Sequence, residues 1–324
     1  MKLLTTSAPH VRTQDTTRKI MIDVLIALIP AVIAATYFFG FYALILAIVG
    51  VVSAELVELF IMRVLKKDKE FVPNGSAAVT GLLLALNVSV ATPWWVLLIG
   101  VVFAIAIVKH VFGGLGQNTF NPALAGRVFL LVSFPSAMTT WYSPINKFFG
   151  MYPADIQTTA TPLAVLKLQG FEAAKSFSYI DLFFGNRGGS LGETSIILLL
   201  LGFAYLVVRG RIKVMVPATY IGSVLLFSWI FYMVDPSKYG SPLFHILTGG
   251  LMLGALFMAT DMVTSPMTIK GQAIFGVGCG LLTMVIRYFA GYPEGVSLSI
   301  IIMNALVPLI DRYTQPKIFG RRAA

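Results

Sequence analysis

The stretch Asp155-Ile-Gln-Thr-Thr-Ala-Thr-Pro-Leu163 sets three hydroxyls within four residues, at Thr158, Thr159 and Thr161, directly before Pro162. Taken alone, such a run reads as an ordinary turn, because Thr and Pro both favour turn backbone. A second candidate is His110-Val-Phe-Gly-Gly-Leu-Gly-Gln-Asn-Thr-Phe-Asn-Pro-Ala123. Asn118 and Asn121 are three apart, a spacing that puts both amides on one face of a helix. The cluster Gly113, Gly114 and Gly116 lets backbone approach either another backbone or a flat ligand. The bland reading is helix packing, in which small residues and Asn serve as interhelical glue. A third candidate, Gly185-Asn-Arg-Gly-Gly-Ser-Leu-Gly-Glu193, is Gly-rich and carries Arg187. Its backbone N–H groups could hold a phosphate, or it is a flexible turn.

Conventional catalytic constellations are missing. His10, His110 and His245 are far apart, with no zinc-type spacing. There is neither a P-loop nor a GxGxxG opening a βαβ unit. The one cysteine, Cys279, excludes an internal disulfide and any Cys-based metal or iron–sulfur site built by this chain alone. Carboxylates remain: Asp23, Glu55, Glu58, Asp261 and Asp311 lie in or beside apolar runs. Acidic groups at such depth face a cavity or a partner. For Glu55 and Glu58 the alternative is an interfacial position beside Arg63 and Lys66, and His110 beside Lys109 reads as interfacial too.

The elements that must position these groups are apolar. Of 324 residues, 57% are hydrophobic and only 12% charged, where soluble domains carry about 25% charged residues. The class is a polytopic membrane protein, and the net charge of +10 is a matter of orientation rather than of nucleic-acid binding. Ten apolar segments can be drawn, at 20–37, 40–62, 76–90, 93–112, 118–134, 194–208, 214–233, 243–260, 271–290 and 296–310. With the N-terminus inside, 17 of the 24 Lys and Arg fall in inner loops and tails, and six fall outside. Lys109 and Arg287, near the ends of their segments, are counted with the adjoining loops, and Arg127 alone lies deep within a span. This bias predicts cytoplasmic termini and places the Thr-rich stretch outside.

The expected organisation is therefore a cytoplasmic tail (1–19), a first five-helix repeat (20–134), an extracytoplasmic loop (135–193), a second repeat (194–311) and a second tail (312–324). The segments at 76–90 and 243–260 are short for spans and occupy the third place in each group of five. Leu82-Leu-Leu-Ala-Leu-Asn87 and Leu256-Phe-Met-Ala-Thr-Asp261 resemble each other. Five spans invert the topology, so the fold predicted is all-α: two inverted five-helix repeats with broken helices at the midplane. That architecture by itself equally suits a secondary transporter or channel. A scaffold subunit without a cofactor is a further alternative.

Together the motifs resemble the D subunit of Rnf complexes and its relative, the B subunit of the sodium-pumping NADH:quinone oxidoreductase. The resemblance rests on Gly113–Ala123, Asp155–Leu163, Gly185–Ser195, Gly254–Pro266 and Gly295–Asp311, in that order along the chain. It implies a membrane flavoprotein subunit of an ion-translocating ferredoxin:NAD+ oxidoreductase, inactive alone, in the cell (inner) membrane. It implies FMN joined covalently to Thr161 through a phosphoester bond, with Asp155, Thr159 and Pro162 as flanking site residues. Thr159 is the alternative acceptor, since Thr158-Thr159 departs from the family's residues at those positions. It also implies a second, non-covalent flavin such as riboflavin, in a pocket including Asn118, Asn121, Gly114 and Gly116. The implied partners are a second covalent-flavin subunit, iron–sulfur subunits and an extracytoplasmic flavin transferase. Neither the coupling ion, Na+ or H+, nor the direction of electron flow is fixed by the sequence.

Overall fold

The computed structural model describes residues 15–148, 150 and 158–316. Asp155 and most of both tails lie outside the described residues. Five helices come first: α1 (Thr17–Phe39), α2 (Phe41–Leu65), α3 (Ser76–Leu86), α4 (Trp94–Val111) and α5 (Pro122–Ser133). The connecting segment holds four short helices, α6 (Pro135–Thr139), α7 (Pro162–Gln169), α8 (Phe171–Ala174) and α9 (Tyr179–Phe184). Then come α10 (Ile196–Val208), α11 (Met215–Val234), α12 (Pro236–Leu247), α13 (Leu251–Met258), α14 (Ile269–Phe289) and α15 (Val296–Thr314). Among the described residues the only β-type pairing is a bridge between Tyr142 and Thr158.

Each of the ten apolar segments contains a helix. Six, namely α1, α2, α4, α11, α14 and α15, are long and apolar enough to cross a membrane. The pair α12 and α13, bent by 47°, makes a seventh if it counts as one span. Three helices, α3, α5 and α10, are shorter. Local chemistry sets the ends. Thr16 caps α1 by accepting from the Lys19 N–H, and Gly40, at φ +76°, turns the chain directly into α2. Proline stands in the first turn of α5, α6, α7 and α12, where its missing N–H costs nothing.

The burial pattern is that of a bundle in lipid. On α1 the bulky Ile22, Ile26, Ile29 and Ile33 are exposed, whereas Ala27, Ala31, Ala34 and Ala35 are buried. Water would favour the reverse; in a bilayer, small residues face neighbouring helices so that backbones can approach. One such approach is α2 against α3, where a Cβ on Gly50 would meet the Gly81 carbonyl oxygen at 2.6 Å.

The third and eighth segments differ from full spans in a matched way. α3 stops at Leu86, and the eighth segment breaks at Thr248-Gly-Gly250 between α12 and α13. The C-terminal ends of α3 and α13 meet: the Asn87 Nδ2 donates to Leu83 O at 2.7 Å and approaches Met258 Sδ at 3.4 Å. Carbonyls freed at the two ends find protein donors, with Asn121 Nδ2 donating to Met258 O at 3.1 Å.

Candidate functional site

Thr161 is the N-cap of α7. Its backbone is extended and its Oγ1 accepts from the Ala164 N–H at 3.3 Å. Pro162 follows at the first helical position. Leu163 and Leu166 anchor the helix in the core, leaving Thr161 only 6% exposed. A helix N-terminus offers unpaired N–H groups and the positive end of its dipole, so an anionic group on the Thr161 oxygen would meet favourable electrostatics. Thr159 differs. Its N–H donates to Trp141 O at 2.9 Å, and its buried Oγ1 has no partner among the described residues. The hydroxyl lies against Gly188, where a Cβ would come within 2.5 Å of it. Thr158 is exposed.

The Gly185–Glu193 turn is not a phosphate cradle. Arg187 points inward, buried, and its Nη2 donates to Glu193 O at 3.0 Å. Beneath it lies a buried charge cluster. Arg127 donates through Nη1 to Asn87 Oδ1 at 3.1 Å and Ser297 Oγ at 2.7 Å, and through Nη2 to Glu294. Glu193 lies 3.8 Å from the same guanidinium. Burial, reinforced by the neighbouring Glu294 carboxylate, pushes the Glu193 carboxyl up to about 7, against the pull of Arg127 and Arg187. The lone cation assigned to a span is thus the tie between the end of α3 and the start of α15.

At the opposite end of α1 a cleft opens between α1, α3, the start of α5, the end of α10 and the turn after α13. Within it about 120 Å³ is open to the centre of a water-sized molecule. Phe257, Leu83 and Val24 give it apolar walls, and Thr80, Asn118, Asn121 and Asp261 supply polar groups.

Asn118 and Asn121 both reach the cleft, but not from one helix face. Asn121 caps α5: Oδ1 accepts from Ala123 N at 3.0 Å and Leu124 N at 3.3 Å. Pro122 forces the residue before it out of helical backbone, so Asn118 stands in the preceding loop, with Nδ2 donating to Phe120 O at 3.1 Å. Gly113, Gly114 and Gly116 all have positive φ, and their function is to reverse the chain after α4. Leu115, not Gly114 or Gly116, lines the cleft. Gly114 faces the His110 ring, and nothing lies near Gly116.

One constellation has no local sequence signal. Lys109 Nζ donates to Glu58 Oε1 at 2.6 Å and to Ser76 Oγ at 2.7 Å, all three residues being buried. His110 Nε2 lies 3.3 Å from the same Glu58 oxygen. Glu58 is therefore paired with Lys109 inside the protein rather than with Arg63 or Lys66, and Glu55 accepts from the Ala78 N–H near the start of α3 at 3.0 Å. Two basic residues adjoining at the end of an apolar run, opposite two acids one turn apart, would have been the only hint.

The NQR2, RnfD, RnfE family matches residues 4–320. The chain is 47% identical over 322 residues to the D subunit of the proton-translocating ferredoxin:NAD(+) oxidoreductase complex of Clostridium ljungdahlii, covering 98% of this chain and 96% of that protein. It is 46% identical to the D subunit of the Na(+)-translocating ferredoxin:NAD(+) oxidoreductase complex of Acetobacterium woodii, covering 99% and 96%. To the D subunit of the ion-translocating oxidoreductase complex of Stutzerimonas stutzeri it is 40% identical, covering 94% and 92%.

Proposed function

The chain belongs to the NQR2, RnfD, RnfE family, and from that premise we propose that it is the membrane flavoprotein subunit of an ion-translocating ferredoxin:NAD+ oxidoreductase. The observation that carries the reading is Thr161 at the N-cap of α7. In the proposal its Oγ carries FMN in a phosphoester bond, formed by an extracytoplasmic flavin transferase. The anionic phosphodiester then sits at a helix N-terminus, where it is stabilised. Thr159, pressed against Gly188, has no such helix end and serves as the wedge that docks the loop. Asp155 and Pro162 flank the acceptor, Pro162 by starting the helix.

The cleft at the other end of α1 is assigned a second, non-covalent flavin, riboflavin or a related form. Its apolar walls suit a flat ring, and Asn118 together with the Asn121–Ala123 helix start supplies polar contacts. When bound, the isoalloxazine ring accepts and releases electrons; the protein positions it and sets its potential. Partner subunits, among them a second covalent-flavin subunit and iron–sulfur subunits, supply and remove the electrons. The relatives' names include both a proton and a Na+ translocator, so the proposal leaves the ion as either.

The same reading takes the ten helical segments as two inverted groups of five, with cytoplasmic termini and the α7 loop outside. Its support is that elements at matched places pack together, α1 on α10 and α5 on α15, as a two-fold relation requires near its axis. A solute passage finds less support, because α3 and α13 abut at Asn87 and Met258 with Arg127 held beside them.

The test is direct. The chain co-expressed with its flavin transferase, run on a denaturing gel, should fluoresce under ultraviolet light, and Thr161→Ala should abolish the band while Thr159→Ala keeps it. A wild-type chain with no covalent flavin would remove the proposal. Fluorescence surviving in Thr161→Ala would move the acceptor elsewhere.

A further inference from the structure

The cleft holding Asn118 and Asn121 carries more positive potential than two amides require. The N-terminus of α3 opens onto it at Ser76 and that of α5 at Asn121–Ala123, each worth roughly half a positive charge. Lys109, also in the wall, brings an ammonium that Glu58 offsets, and Asp261 stands in the same lining. It is 2% exposed, and burying an ammonium at membrane depth is costly. Packing alone would be served by an apolar side chain. An ammonium has three N–H bonds: one goes to Glu58 and one to Ser76, leaving a third for the cleft.

The charged groups around Lys109 come from every neighbouring element. Glu58 and, more distantly, Glu55 face it from α2, His110 shares Glu58 on α4 itself, and Asp261 faces it from the turn after α13. Arg211, at the mouth, is taken up by Asp15 and Asp23. The Lys109–Glu58 pair is thus close to neutral as a unit, with its positive member toward the cleft.

Resting on the flavin reading of this cleft, we propose that Lys109 is a positioning residue that sets the reduction potential of the non-covalent flavin. Two electrons and one proton convert the oxidised ring to its reduced anion. The proton goes to N5, and one negative charge is left over the N1–C2 carbonyl edge. The third N–H of Lys109, on the cleft side, would meet that charge and lower the energy of the reduced form. Lys109 keeps its own proton throughout, and the electrons come from a low-potential iron–sulfur donor in the complex, or from dithionite in the test. Glu58 tempers the effect, so removing either partner moves the equilibrium in opposite directions.

The experiment uses the full chain carrying Thr161→Ala, so that only non-covalent flavin remains. Its potential is titrated spectroscopically with dithionite at about pH 8, where a lysine keeps its proton and the reduced ring is the anion. Lys109→Met should disfavour reduction at least tenfold, about 30 mV for two electrons, and Glu58→Gln should favour it. Lys109→Arg should stay near the parent. A Lys109→Met chain with flavin bound at the parent potential overturns the inference, as do shifts of the same sign in Lys109→Met and Glu58→Gln. If Lys109→Met releases its flavin, Glu58→Gln decides: an unchanged or lowered potential overturns the inference. Absence of any non-covalent flavin from the parent would end the second-flavin reading and this inference with it, while the gel test of Thr161 stands apart.

Discussion

At the head of α10 the Glu193 carboxyl is buried beside Arg127, Glu294 and the inward-turned Arg187. Its Oε1 accepts no hydrogen bond among the described residues, which fits a group that holds its proton near neutrality. Its pKa is raised from 4.5 to about 7, so the folded state binds this proton more tightly than the unfolded chain. The stability this contributes is fully present below about pH 4.5 and is lost as pH rises through about 7. At 1.36 kcal/mol per unit the loss amounts to about 3 kcal/mol. Glu193→Gln keeps the neutral shape and should remove that slope. The check is the unfolding midpoint of detergent-purified protein at about pH 5 and about pH 8. The wild type should lose midpoint temperature between them and the variant should lose less; parallel losses would show that Glu193 stays ionised.

Among the elements, α3 and α13 depend on side chains from outside their own helices. Asn121 does two tasks, capping α5 and donating to the last carbonyl of α13. Asn121→Ala loses a cap, about 1 kcal/mol, and a buried hydrogen bond, about another 1 kcal/mol. Asn121→Asp keeps the cap and loses the donor, so its cost should fall between. Chemical unfolding of the three proteins checks the order; an Asp variant as damaged as Ala would mean the cap contributes little. This is also where sequence legibility ended. Apolar runs and Pro-marked starts are local signals, and every one of the ten segments has its helix. The fifth segment as drawn from Asn118 starts four residues before the helix, because Pro122 holds Asn121 out of helical backbone and makes it the N-cap. The break at Thr248-Gly-Gly250 was hidden because residues on both sides are equally apolar. Lys109–Glu58, 51 residues apart, and Arg127–Glu294, 167 apart, are long-range pairs that no local period records. The helix after Thr161 is absent from the sequence reading, which takes the stretch as a turn, although Thr-Pro before an apolar run is a helix-start signal.

Over the whole molecule the two proposed flavin positions lie at opposite ends of α1. Ile20 and Met21 border the cleft, whereas the Phe38 carbonyl accepts from Ile145, in the segment that leads to the Thr161 loop. Eighteen residues of helix separate those points, roughly 27 Å at 1.5 Å per residue. This chain builds no Cys-ligated iron–sulfur cluster between them, since Cys279 is its one cysteine. On the proposed reading, electrons passing between the two ends use centres in partner subunits, which the exposed apolar helix faces can receive within the membrane. In sealed vesicles holding the isolated chain in one orientation, an impermeant reductant outside should bleach only the flavin on its own side. The assembled complex, treated alike, should bleach both, because the partners complete the route. If the isolated chain passes electrons to its far flavin as fast as the complex does, the separation drawn from α1 is wrong, and the chain would itself be the wire.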